Sequence, residues 1–191
     1  MALVRTSIMF CIVFTIITGI VYPLSVTGVG QLLFPYRANG SIIVKDGKAV
    51  GSSLIGQQFD DPGVFWSRPS ATSPYPYNAS SSSGSNMGQA NPDLTSAIQD
   101  RVAHLKAADP LNTLPVPIDL VTASAIGLDP HISPAAAMYQ TSRVAKSRAL
   151  GEEVVRSLVT THTQWRQLGL FGEPVVNVLE LNLALMEIKR K

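Results

Sequence analysis

Asp129, His131 and Ser133 stand at alternate positions in "LVTASAIGLDPHISPAAAMYQ", residues 120–140. An acid, a base and a hydroxyl are the inventory of nucleophilic catalysis, in which the base must touch both partners. The spacing works against such a relay. Pro130 and Pro134 fix φ and push the residues before them toward extended geometry, so the three side chains alternate along the chain and do not converge. A structural role uses the same residues more fully: Ser133 caps a helix, Pro134 opens it, and Asp129 hydrogen-bonds its own turn. A metal site built from His131 with Asp129 or Asp119 needs further ligands, and His104 and His162 fall on other elements. The expectation is no catalytic and no metal-binding residue. A membrane-anchored extracytoplasmic hydrolase using His131 and Ser133 is the enzymatic alternative.

Four other patterns could bind phosphate, a base or a sugar. "GSSLIGQQ" spaces Gly51 and Gly56 like a phosphate-binding loop, but Gln57 stands where Lys must reach the phosphates and Gln58 where Ser or Thr would hold magnesium. Ser83, Gly84, Ser85 and Asn86, within "SSSSGSNMG", could turn backbone amides toward an anion, a nucleotide or a partner, although such runs serve more often as connectors. Trp66 and Arg68 in "FWSRPSAT" could stack on a base or a partner; the alternative is a Trp at the edge of the core with an Arg stem laid over it. Asn39 and Asn78 match the N-x-S acceptor pattern, which matters only in a glycosylating pathway.

What must carry these residues begins with a membrane segment. No charged residue occurs from Thr6 to Tyr36, and "SIMFCIVFTIITGIVYPLSV" is long enough to cross a hydrocarbon core, which takes about 20 residues. It exceeds a signal-peptide core, and no small-residue cleavage site follows. Arg5 and the α-amino group precede it without a nearby acid, which places the N-terminus in the cytoplasm and the bulk of the chain outside. Thr15, Thr18, Gly19 and Tyr22 recur at three- and four-residue spacing, a small, weakly polar stripe that another helix could approach closely. The 15 basic and 13 acidic residues leave a net charge of +2, too little for a nucleic-acid surface. Cys11, the single cysteine, lies inside the apolar segment, so the rest of the chain can form neither a disulfide nor a thiolate-ligated metal site.

The exported part reads as one mixed domain. "SIIVKDGKAVGSSLIGQQF" gives two short strands joined at Asp46-Gly47, whose central positions tolerate positive φ. A long Ser/Gly/Pro-rich loop follows near residues 67–91. Asn91 and Pro92 cap and open a helix with Leu94, Ile98, Val102 and Leu105 on one face, ended by Asp109-Pro110. Ser133 and Pro134 begin a second helix running to about Ala149, and a third covers 152–161 with acidic residues at its positive end. In "EPVVNVLELNLAL", Leu179, Leu181 and Leu183 alternate with Glu180 and Asn182, the two-residue period of a half-buried strand. The fold class is therefore α+β: an N-terminal transmembrane helix, residues 1–30, followed by a single exported α+β domain, residues 31–191.

"GSSLIGQQF", "FWSRPSAT", "YNASSSSGSNMGQANP", "VPIDLVTASAIGLDPHISPAAA" and "FGEPVVNVLELNLAL", in this order behind one N-terminal anchor, resemble the C subunit of the Kdp potassium-transporting ATPase over nearly the whole chain. Ala125 and Ile126 stand where the family pattern has Ser and Gly, and Ser83 where it has Gly. The resemblance implies a bacterial inner-membrane complex in which a channel-like subunit selects potassium and a P-type ATPase subunit forms an aspartyl phosphate, accompanied by a small single-helix subunit. This chain would be their accessory, non-enzymatic subunit, in contact with membrane lipid and with no nucleic acid. It would bind no cofactor alone, with ATP held at the level of the complex, and it would raise the ATPase subunit's nucleotide affinity. Its own residues agree by omission: one spanning helix cannot enclose a pore, and no aspartate lies in a D-K-T-G context.

Overall fold

The computed structural model describes residues 1–188; the last three residues of the expected domain lie outside the described residues. The chain forms two compact units, Met1–Val50 and Gly51–Lys191. In the first, helix α1 (Ala2–Ile16) passes through a π-helical turn (Ile17–Val21) into α2 (Tyr22–Leu33). The wide turn has a local cause. Pro23 has no N–H to give the preceding turn and its ring crowds the carbonyl four residues back, so widening the helix just before it relieves both problems. The continuous helix Ala2–Leu33 has 32 residues and a mean hydropathy of 2.2 over its most apolar window, and none of that window is buried inside the protein. At 1.5 Å per residue it extends about 48 Å, beyond the hydrocarbon core of about 30 Å. A short helix α3 (Pro35–Ala38) and the hairpin of β1 (Ile42–Lys45) and β2 (Lys48–Ser52) follow. Its two-residue connection is Asp46-Gly47, with φ of +50° and +75°.

The second unit holds the core. From residue 56 to residue 91 the backbone forms neither helix nor strand, yet it is closely tied: the Ser70 hydroxyl donates to the Gly127 carbonyl, and Tyr77 N and Asn78 N donate to the Ser70 and Thr72 hydroxyls. Helix α4 (Pro92–Ala108) starts where Asn91 accepts from Asp93 N at 2.9 Å, and Ile98, Val102 and Leu105 turn toward the core. The expected second helix is broken into α5 (Pro134–Tyr139) and α6 (Thr141–Arg148). The break falls at Gln140, whose buried side chain is bonded to the backbone of Trp66. Ala149 ends α6 in the left-handed conformation, with Leu150 N bonded to Ala145 O. Helix α7 (Glu152–Thr161) buries Val155 and Val159, one turn apart, and begins with two acids.

Three strands, β3 (His131–Ile132), β4 (Thr163–Gln164) and β5 (Val175–Asn177), form a small antiparallel sheet in the order β3-β5-β4, with His131 opposite Asn177 and Thr163 opposite Val176. The strand expected through Leu179, Leu181 and Leu183 is not there: the chain becomes helix α8 (Val178–Glu187) after three strand residues. Asn177 caps this helix by accepting from Glu180 N, and Val178, Leu181, Asn182 and Leu185 fall on its buried face. Leu, Ala, Glu and Met are strong helix formers, and here the three-to-four period outweighs the alternation. Phe65, Ile132, Val144, Val155, Val176, Leu181 and Leu185 join one core across α5 to α8, the sheet and the irregular segment.

Candidate functional site

The polar side chains of the 129–133 turn are divided between two carboxylates. Asp129 Oδ2 accepts from Arg68 Nη1 at 3.0 Å, while its Oδ1 accepts from His131 N at 3.0 Å and lies 3.4 Å from His131 Nδ1. Ser133 turns the other way. Its N and hydroxyl donate to Asp119 at 2.7 and 3.2 Å, and its Oγ accepts from Ala136 N, capping α5 ahead of Pro134. Acid and base therefore meet, but the hydroxyl is committed to a different acid and to a helix cap. Burial, the largest influence on Asp129, acts to raise its pKa. The His131 hydrogen bonds and the Arg68 and His131 charges together outweigh it and hold the carboxyl below its ordinary value. A stably ionised Asp129 locks the turn to Arg68.

Beside this turn opens a cleft of about 420 Å³ whose lining includes Trp66, Arg68, Tyr77, Asp100, Arg101 and His104. It is built on the segment Val64–Trp66, which has no strand partner. Side-chain amides replace one: Asn182 accepts from Phe65 N at 2.8 Å and donates to Phe65 O at 2.9 Å, and Gln140 does the same for Trp66 at 2.7 and 3.1 Å. Arg143 completes the clamp, donating to Pro62 O, Val64 O and Gln140 Oε1. Its guanidinium lies 3.9 Å from the Trp66 ring centroid. Burial lowers the Arg143 pKa to about 10, partly opposed by Asp109 and Asp61. His104 stacks on the same indole at 4.9 Å.

Trp66 is thus a buried core-edge residue with its ring already engaged, not a platform for a base. The group over it is Arg143; Arg68 pairs with Asp129. Tyr77 donates to the Arg68 carbonyl, and burial above all pushes its phenol up to about 12. A side chain at Gly56 would strike the Tyr77 ring and the Asp129 carbonyl, so this glycine serves close packing rather than phosphate binding.

The other singled-out residues lie apart. Ser83 and Gly84 run against the turn at Ala125–Gly127, where a side chain on Gly84 would meet the Ala125 carbonyl; Ser82 donates to Ile126 O and Asn86 has φ +53°. Thr15, Thr18, Gly19 and Tyr22 are exposed around the π-helical turn, and the Thr18 hydroxyl is bonded to Phe14 O. Asn78 is buried and donates to Ser73 O, which removes it as a glycosylation acceptor, whereas Asn39 is exposed. His162 donates through Nδ1 to Leu158 O. Among the described residues no group of three His, Cys, Asp or Glu side chains could hold a metal ion. Gln140, Arg143 and Asn182, which fix the cleft, were not singled out from sequence; their partners are far away in the chain, and only Asn177-x-x-Glu180 left a local mark, as a helix start.

This geometry orders a surface and commits the Ser133 hydroxyl to Asp119 and the α5 cap. Comparison with known proteins gives that surface its context. The sequence pattern described as K+-transporting ATPase, c chain, matches residues 4–187. The chain belongs to the KdpC family. It is 60% identical over 188 residues to the potassium-transporting ATPase KdpC subunit of Dechloromonas aromatica, covering 98% of each chain. It is 61% identical over 181 residues to that of Methylococcus capsulatus, covering 95% of each. With the subunit of Ralstonia nicotianae it shares 58% over 187 residues, 98% of this chain and 92% of the other. Among the described residues one helix is long and apolar enough to cross a membrane, which fits a single-pass subunit of a potassium-transport complex.

Proposed function

We propose that this chain is the accessory subunit of a high-affinity, ATP-driven potassium uptake complex of the bacterial inner membrane, and that it holds the channel-like and P-type ATPase subunits together. One observation carries the proposal: in a KdpC-family chain, the residues best suited to chemistry are tied up in caps, turns and a backbone clamp. The apolar helix places its Thr15–Tyr22 stripe where a neighbouring helix can pack, and the folded unit provides a second contact outside the bilayer. An effect on the nucleotide affinity of the ATPase subunit then passes through these contacts as a coupling free energy of about 1–3 kcal/mol. The folded unit faces away from the cytoplasm. Arg5 and the α-amino group favour that orientation, while Arg37, Lys45 and Lys48 beyond the helix reduce the bias. Cysteines introduced at Asn39 and Asn91 should accordingly react with an impermeant reagent from outside and not from the cytoplasm.

The test of function is subtractive. Purified alone, the chain should hydrolyse neither ATP nor generic esters or peptides. Added back to the other subunits, it should lower the ATP concentration needed for half-maximal hydrolysis. Ester turnover by the isolated chain that is lost in His131→Ala would replace this proposal with the hydrolase.

A further inference from the structure

Between β4 and β5 the chain forms a narrow tip that carries core-type residues in the open: Trp165 is 70% exposed, Leu168 91%, Leu170 75% and Phe171 63%. Outside the membrane helix this is the densest run of exposed large apolar side chains in the second unit. The tip is closed on itself. Gln167 and Phe171 exchange backbone hydrogen bonds at 2.9 Å in both directions, Leu170 N donates to Gln167 O, and Gly169 N donates to Arg166 O. Left-handed backbone at Leu168, Gly169 and Gly172 sets the turn. The charges flanking the tip cancel, because Arg166 Nη2 is bound to both oxygens of Glu173 at 2.8 and 2.7 Å.

The geometry points to a lipid surface as the occupant: the tip 165–171 enters the interfacial zone of a bilayer. Two observations favour lipid over a protein groove. A Trp beside Leu and Phe, with the neighbouring charges paired, is the residue mixture that settles at a headgroup boundary, with the indole at the interface and the aliphatic groups deeper. Finally, the second unit cannot leave the membrane: Leu33 ends the helix and Gly51 begins the unit, so the chain between them spans at most about 60 Å even if fully extended. The hairpin β1–β2 doubles part of that length back. The inference depends on the membrane helix and not on which subunits the chain joins.

The test uses the full chain in phosphatidylcholine vesicles, washed at alkaline pH, with Cys11→Ser and a nitroxide on Leu168→Cys. A second sample carries the nitroxide on Leu111→Cys, whose side chain is 81% exposed on the loop after α4. Power saturation should show oxygen favoured over a neutral nickel chelate several-fold more strongly at 168 than at 111. Adding Leu170→Ser and Phe171→Ser should return position 168 to the behaviour of 111, since the backbone bonds of the tip remain. A label at 168 that stays as open to the chelate as the label at 111 overturns the inference, also where it becomes shielded only on adding other subunits, which would assign the tip to protein. Loss of the chain in the wash overturns it together with the anchor.

Discussion

The 129–133 turn and the 165–171 tip are opposites. The turn has the composition of an active site and spends its acid and its hydroxyl on structure: Asp129 on Arg68 and His131, Ser133 on Asp119 and a helix end. The tip has the composition of a core strand and leaves its side chains outside. Residue type therefore misleads in both places, because what decides is whether a group's partners lie within the same chain. Polar groups satisfied internally stabilise the turn; apolar groups left exposed call for something beyond the chain. A subunit that works by contact should show this pair of features.

Substitutions can break or sharpen the contrast. Gln140→Ala should have the largest effect, since it strands the buried N–H and C=O of Trp66 and one hydrogen bond of Arg143; thermal or denaturant unfolding should register a loss of about 2–4 kcal/mol. Ser133→Ala removes the α5 cap and should cost about 1 kcal/mol in the same measurement, with no change in any hydrolytic activity. Asp129→Asn should alter the acid limb of stability. The folded pKa of Asp129 lies below its unfolded value, so its contribution is present above the ordinary carboxylate pKa of about 3.9 and is lost as pH falls through the lower folded value. The variant should lack that contribution at neutral pH and show a shallower decline in acid. Leu168→Ser should be smallest, changing unfolding stability by no more than about 0.5 kcal/mol because the side chain is already in the open. A large loss there would mean that the tip is part of the core, and the contrast would fail.

Much of the fold was legible where the signal is local. The uncharged stretch from Thr6 to Tyr36 gives the long helix, Asp46-Gly47 the hairpin, and the pairs Asn91-Pro92 and Ser133-Pro134 the starts of α4 and α5. Each of these needs only neighbours within a few residues. The misses share the opposite property. The clamp on Phe65 and Trp66 joins residues 117 and 74 positions apart, and no spacing rule reaches that far. The same clamp breaks the expected helix at Gln140. At the C-terminus two periods overlapped: Leu179, Leu181 and Leu183 alternate as a strand would, but Asn177 and Glu180 mark a helix start and the buried set follows the helical period. Within the candidate site, the two prolines argued for His131 and Ser133 at alternate positions, but nothing local signalled that Asp119 would claim the hydroxyl. Whether "WRQLGLF" would be inside or outside could not be read from its residues, because an apolar run looks the same in a core strand and on an exposed turn.

The central claim, that this chain acts by holding other polypeptides in the membrane, is met most directly by purifying it from its native membrane in mild detergent and measuring the mass of what remains attached. The account predicts a particle containing a channel-like subunit and a P-type ATPase subunit, which separates when this chain is removed. A particle with the mass of this chain alone, or copies of it alone, would contradict the account.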